Sequence, residues 1–542
     1  DLVHNFINKN FTMNSLKLIL LSLLTAFAMS TTFCQTAPMF GKDIVLSDIP
    51  AEDMTNVAIC SDSNGLMFAA YYYLQSYYWY FVIMKSEDHG LNWDEFFSVD
   101  GLPGPVSIRD VNLVLNGTIP SNMKLFAGFV SGDPTITTGH GIVFIINVNT
   151  ASLGSSIDLG GGISDLALAS DYLFPPSSTS SYSIGFIYSK WSPGNDSIFF
   201  YSTQNGQLNL ENKRLVAVTP GSFRKVGLAY GYSPLLNTGR YFATWERQES
   251  VSDTLGNIYT AHSEPNFDSP FTTPVCLDCD EPSITGKVRN PSVAVQCGNS
   301  ESDSSDLTQV VVFEKYNQSA GKFDIMGAYN LQSTSSSHFQ LTTINGSVNG
   351  RVSPDVVYNN YISSFDLTCQ DQTTGKLPYL TNSVNLNTPA YWNIITSGYN
   401  DSVVGDYANP VVAIDHSQHT GMNVWLGKDE NQNPIALFDS PASTYTWNPH
   451  VNTCSPEQVL IVFPNPCSED FSIEFKIERS QQVKVDLITA EGTFLCSLYH
   501  GFMNAGLNRL NHTLPSLVTG MYFISLQTED YSTVKKIIHI TD

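Results

Sequence analysis

Positive charge is what this sequence has least of. Lys and Arg total 26 against 50 Asp and Glu in 542 residues, a formal charge of -24. Such a surface repels phosphate backbones and offers nothing to anionic lipid, which excludes nucleic acid as a partner. Charged residues of both signs reach only 14%, whereas hydrophobic residues make up 42% and aromatics 12%. A chain rich in Tyr, Phe, Ser, Thr and Asn suits exposed sheets, so it reads as all-β. Beyond Met29 no apolar run is long enough to span a bilayer, and no transmembrane anchor is expected.

Cysteine is scattered too thinly to define a framework. Besides Cys34, the eight others (Cys60, Cys276, Cys279, Cys297, Cys369, Cys454, Cys467 and Cys496) can pair in an oxidising compartment, but their spacing fixes no connectivity. Cys276-Leu277-Asp278-Cys279 has the spacing of half a zinc site. No second such pair and no matched His pair accompanies it, so a local disulfide, with Cys297 as a further candidate partner, is expected in place of a metal. The run Glu301 to Asp306 reads as a solvated loop rather than a calcium ligand set. No cofactor is expected.

Residues 1–12 read as upstream translated sequence before Met13, and residues 13–34 as a signal peptide with an apolar run from Leu18 to Met29. Thr31-Thr32-Phe33 lacks the small residue a lipoprotein box needs before its cysteine, so Cys34 predicts no lipid anchor.

Residues 41–440 carry an internal repeat of roughly 53 to 65 residues, about seven units in all. Each unit opens on a short apolar strand: Val57-Ala58-Ile59, Val111 to Val114, Leu166-Ala167-Leu168, Val226 to Ala229, Val293-Ala294-Val295, Asp355 to Tyr358, and Val411 to Ile414. Second strands (Tyr241 to Glu246, Val310 to Glu314, Met422 to Trp425) and third strands (Ile258 to Ser263, Phe323 to Ala328, Ile435 to Ser440) follow. Short antiparallel strands separated by Gly, Asn and Ser turns predict a β-propeller of about seven blades. The early strand Asp43 to Ser47 is expected to pair with the last blade and close the ring.

One turn anchors the register. Ser86-Glu87-Asp88-His89-Gly90-Leu91-Asn92-Trp93 lies between two β-rich runs. There Ser86 and Asp88 can bond turn amides, Gly90 can take positive φ, and Trp93 can cap the hairpin. This S-x-D-x-G-x-x-W spacing resembles the Asp-box (BNR repeat) of sialidase-type propellers, with Ser202, Gly206 and their neighbours a degenerate second copy. The resemblance implies that Ser86, Asp88, Gly90 and Trp93 staple the turn between third and fourth strands, away from the ligand face.

Residues 441–460, with Pro441, Pro449 and Pro456, read as a linker. Residues 461–542 then read as a small immunoglobulin-like β-sandwich. Phe463-Pro464-Asn465-Pro466, Gly506-Leu507-Asn508, Gly520-Met521-Tyr522-Phe523 and Lys535-Lys536 occur in an order that resembles the type A C-terminal sorting domain of type IX secretion in Bacteroidetes. That implies the type IX machinery as partner, with release from the cell or attachment at its surface.

Catalysis finds little support. Sialidases use an R-I-P motif, an arginine clamp, a Tyr nucleophile and a proton-donating acid; R-I-P is missing, and Arg109, Arg224, Arg240, Arg289 and Arg351 are scattered. No catalytic residue is assigned. Glu246 and Glu314 end equivalent second strands, and the cations beside them, Arg247 and Lys315, suggest surface ion pairs. The stretch Tyr71 to Phe81 places Tyr73, Tyr77 and Trp79 near a turn on the ligand face, as candidate contacts to a glycan or protein. The expected function is a non-enzymatic binding or adhesion protein, secreted or at the outer cell surface. The alternative is a sialidase-like glycoside hydrolase with a divergent site.

Overall fold

The computed structural model describes residues 40–539 apart from 41–42, 48–50, 52, 63, 77, 104–106, 117–122, 133–137, 172–182, 205–212, 234–237, 251–252, 265–269, 282–286, 298–306, 335–336, 345–349, 384–391, 397, 401–402, 405–407, 441–459, 464–466, 468–469, 478, 490–493, 514–519 and 529–531. The expected signal peptide and linker, the second half of the degenerate repeat turn and Tyr77 lie outside the described residues.

Seven antiparallel blades form a closed ring. Their inner strands are Asp53–Ser61, Ser107–Asn116, the second half of Ser152–Ser170, Ser222–Ser233, Val288–Val295, Arg351–Asn359 and Val411–Asp415, and each is followed outward by its second and third strands. Every apolar triplet or quartet that opened a sequence unit falls in one of them. Blades 2 and 3 share one continuous seven-stranded sheet because the 19-residue strand Ser152–Ser170 is outer strand to one and inner strand to the other. Each inner strand packs on the next, and the seventh packs on the first.

Burial explains why the strands lack a polar face. Each boundary between neighbouring blades holds its own apolar cluster, for instance Phe68, Phe81, Leu125 and Phe129 between blades 1 and 2, or Phe242, Ile258, Val311 and Phe313 between blades 4 and 5. A middle strand therefore buries both its faces. The second strand of blade 5, Gln309–Asn317, runs Val310-Val311-Val312-Phe313 without alternation for that reason.

The ring closes as anticipated. Ile44–Val45 adds to the last blade, with Ile44 opposite Phe438 and Val45 opposite Leu437. The Ser86–Trp93 turn reinforces the same seam. Ser86 Oγ accepts from Gly90 N at 2.8 Å, Asp88 Oδ1 accepts from Asn92 N at 2.9 Å, and Trp93 Nε1 donates to Gly90 O at 2.9 Å. Trp93 packs edge-on to Phe438 of blade 7 at 5.1 Å, and Gly90, at φ 85°, lies where any Cβ would strike that ring. These bonds hold the Asp88 carboxyl below its ordinary range against the opposing effect of burial. Asp88→Ala should accordingly lower stability by about 1 to 2 kcal/mol and leave ligand affinity unchanged, measured by urea unfolding beside a binding titration.

The C-terminal module is a sandwich of a three-stranded sheet (Ile461–Phe463, Asp470–Ile477, Gly506–Thr513) and a four-stranded sheet (Phe494–Met503, Gln481–Thr489, Gly520–Thr528, Ser532–His539). Strict alternation supplies its core: Phe471, Ile473, Phe475 and Ile477 from one sheet meet Val483, Val485, Leu487, Ile524 and Leu526 from the other.

The cysteine expectation is met only locally. Cys276 and Cys279 are bonded to each other, at the edge of blade 4, so neither sulfur is free as a thiolate. Cys297 is not their partner: it is a free thiol just past the inner strand of blade 5, and Cys60 on the inner strand of blade 1 and Cys369 on the second strand of blade 6 are free as well.

Candidate functional site

The inner strands enclose a channel of ≈ 770 Å³, within the size range of small-ligand sites. Its polar end has a repeated local cause. In six blades the ladder between inner and second strand shifts register near the start of the inner strand. Such a bulge re-aims side chains that would otherwise be buried between blades. At this level Asp110, Lys225, Asn290, Ser353 and Asn409 adopt φ of 50, 50, 52, 50 and 43°. Asn, Asp and Ser tolerate that conformation through short polar side chains, whereas Lys225 is strained there. The turns between second and third strands lie at this same end, and the Ser86–Trp93 turn at the other.

The carboxylates at this end are joined to neighbouring backbone. Glu314, fully buried, accepts from Arg289 Nε at 2.7 Å, Asn290 Nδ2 at 2.8 Å and Ser353 N, in the next blade, at 2.8 Å. Glu246 accepts from Gln248 Nε2 at 2.7 Å and from Asn290 N, again in the next blade, at 3.2 Å. Gln370 repeats the pattern by accepting from Ala408 N at 2.9 Å. One turn deeper, Asp355 accepts from Ser292 Oγ and Val412 N and so spans blades 5 to 7. Glu246 and Glu314 are thus not the surface ion-pair residues expected. They are buried because the second strand carries them under the bulge, and Glu314 pairs with Arg289 across its own blade rather than with Lys315.

Lys225 lines the channel with half its side chain exposed and Asp110 Oδ1 at 3.7 Å. Asp110, more strongly than Asp165, Glu246 and Glu314, holds its ammonium above the ordinary range against the cost of burial. At the opposite end Asp171 is buried, and burial pushes its carboxyl up to about 7. Its Oδ1 accepts from Ser183 N at 2.7 Å, capping the turn between first and second strands as Asp62 does in blade 1 and Asp415 in blade 7. Tyr230, on the channel wall, has its hydroxyl pushed far above the ordinary range by burial, the reverse of what a nucleophile needs.

Burial also sets a pH dependence. The carboxyls of Glu246 and Asp171 are raised to about 7 and that of Asp366 to about 6. The folded chain therefore holds protons that the unfolded chain has released, and this stability is lost as pH rises through about 7. His416, lowered to about 4 by burial, opposes the trend only below its unfolded value. Thermal stability should rise as pH falls from about 8 to about 6.5, and Glu246→Gln should flatten the rise. A scan of Tm against pH for both proteins checks it.

Of the aromatic candidates, Tyr73 and Trp79 are each 5% exposed and belong to the cores flanking blade 1. Tyr73 stacks on Tyr80 at 4.9 Å and Trp79 meets Tyr72 edge-on at 5.4 Å. Tyr73 lies on the strand Met67–Gln75, which buries both faces almost to its end, and Trp79, on Tyr78–Ser86, is enclosed in the core between blades 1 and 2, so neither ring has a face for a ligand. Among the described residues of the stretch, Tyr78 is the exposed ring, at 46%.

Residues 461–540, the whole span of the sandwich strands, match the model of the secretion system C-terminal sorting domain. The C-terminal module is a type IX sorting domain. The sorting domain addresses this protein to the cell surface or the extracellular space through the type IX machinery. Among the described residues no helix is long and apolar enough to cross a membrane. Among solved structures, the chain is similar to the GH93 alpha-L-arabinofuranosidase of Fusarium graminearum, with 11% identity, 74% of this chain and 97% of that one covered, and a TM-score of 0.43. It is also similar to prolyl oligopeptidase B from Galerina marginata (10%, 89% and 56%, TM-score 0.37) and to an N-acetylgalactosamine deacetylase from F. plautii (11%, 74% and 95%, TM-score 0.33). No curated protein matches the chain.

The channel residues left unassigned from sequence do have a signal there. Arg109-Asp110-Val111, Arg224-Lys225-Val226, Arg289-Asn290-Pro291, Val352-Ser353-Pro354 and Ala408-Asn409-Pro410 each set a polar residue before Val or Pro at the start of an inner strand.

Proposed function

We propose that the propeller ahead of the sorting domain is a non-enzymatic binding or adhesion module that takes a glycan or protein ligand on the face where the bulges open. The observation that carries this reading is the bonding of the channel carboxylates. Both oxygens of Glu246, Glu314 and Asp355 already accept hydrogen bonds, and each carboxyl group takes one of them from the blade that follows. A general acid or base must reach a proton on its substrate, whereas these carboxyl groups brace the seams between blades through both oxygens. Arg289, one of the arginines a clamp would need, is held by Glu314. A glycan and protein array probed with the exported protein tests the reading: a specific ligand whose binding falls with Lys225→Ala supports it, and absence of binding to any class defeats it.

A further inference from the structure

An edge of a β-sheet offers its outer N–H and C=O groups to any strand it meets, and natural sheets guard their edges with short length, charge, lysine or bulges. Among the described residues the sandwich of the sorting domain has four edge strands. Ile461–Phe463 is three residues long, Ser532–His539 carries Lys535 and Lys536, and Gly506–Thr513 carries Arg509, which pairs with Glu474 at 3.4 Å. The fourth, Phe494–Met503, has ten residues and no Asp, Glu, Lys, Arg or Pro. No described strand pairs with its outer side. Bulges guard only its first half. The ladder to Gln481–Thr489 shifts register twice between Phe494 and Tyr499, then runs regularly from Tyr499, opposite Val485, to Met503, opposite Gln481.

This regular half also carries Phe502, at 61% the most exposed large apolar side chain among the described residues. Across the ladder it faces Gln482, itself exposed, and on its own strand the nearest residue of the same face is His500, exposed as well. The ring therefore adds nothing to the core of the module, whose members are other residues. Tyr499, half-buried on the core side, lies over Gly501, where a Cβ would stand 3.0 Å from its hydroxyl. That hydroxyl donates to Phe502 O at 3.1 Å. A carbonyl oxygen has two lone pairs, so Phe502 O can accept a second bond from a partner. An uncharged, regular edge with an aromatic ring standing beside it suits a partner that adds a strand and covers the ring with an apolar slot. The match over residues 461–540 says which partner that is, because a sorting domain works by being held by the type IX machinery.

We propose that the edge from Tyr499 to Met503 is the surface on which the type IX machinery docks, adding a strand there and burying the Phe502 ring. The inference is independent of what the propeller binds. Its test is the share of full-length protein that reaches the surface or the medium rather than the periplasm, in cells with a working type IX system. Two variants are compared with wild type: Phe502→Lys, which gives this edge the guard that Ser532–His539 has, and Leu495→Lys, at an exposed residue of the same strand beyond the bulges. Phe502→Lys should lower delivery about tenfold or more, as loss of an aromatic anchor lowers binding, and leave folded protein in the periplasm with an unchanged Tm. Leu495→Lys should stay within about twofold of wild type, as surface substitutions away from a site do. Phe502→Gln, which matches Gln482 across the ladder, decides by the same measure if Phe502→Lys lowers Tm. Normal delivery of the folded Phe502 variant, or an equal loss from Leu495→Lys, overturns the site. A wild-type dimer that Phe502→Lys splits without changing delivery also overturns it and assigns the edge to a second copy of the chain. If removal of residues 461–540 blocks delivery and Phe502→Lys does not, the sorting role stands and this surface falls.

Discussion

Glu314→Ala is expected to cost about 3 to 5 kcal/mol of stability, the range for removing one partner of a buried ion pair. The effect is large because one side chain closes three contacts at once. Without it the Arg289 guanidinium loses its carboxylate, the Asn290 amide loses its acceptor, and the Ser353 amide of the next blade is left unsatisfied. Asn290 and Ser353 are also two of the residues held at positive φ, so their strained conformations lose the group that fixes them. Glu314→Gln keeps an acceptor oxygen and should cost less. Urea unfolding of both variants measures the difference, and equal, small losses would mean that Glu314 does not join blades 5 and 6.

Removing residues 461–540 should abolish delivery to the surface while leaving the propeller folded. The sorting domain has a core of its own, built from Phe471, Ile473, Val485, Leu487 and Ile524. The propeller's apolar clusters draw only on residues before 440, and its ring is closed by Ile44–Val45 and not by the C-terminal module. The truncated protein should therefore be found in the periplasm, protease-resistant and with an unchanged Tm of its main transition. Truncated protein at the cell surface would contradict the sorting role, and an unfolded truncated protein would contradict the independence of the two cores.

Architecture was legible in the sequence because it repeats. Val57-Ala58-Ile59, Val293-Ala294-Val295 and their counterparts mark inner strands since small apolar residues must crowd around one axis, and this constraint recurs in every blade. The Ser86–Trp93 turn was legible for a different reason: its bonds are local, and a hairpin can be read from its own residues. What local pattern hides is burial by a neighbour. Glu246 and Glu314 look like surface residues beside Arg247 and Lys315, and only the next blade's bulge makes them buried braces. Tyr73 and Trp79 look exposed near a turn, yet each ring is buried in a core that flanks blade 1.

The role of the channel carboxylates is tested most directly by turnover. The exported protein, incubated with a panel of fluorogenic sialosides, arabinofuranosides and other aryl glycosides, should release no more fluorophore than buffer alone, because Glu246, Glu314 and Asp355 are bonded on both oxygens and Tyr230 is held protonated by burial. Turnover of any one substrate, abolished by Glu246→Gln, Glu314→Gln or Asp171→Asn in a variant that keeps its Tm, would make the channel an active site and contradict the binding module.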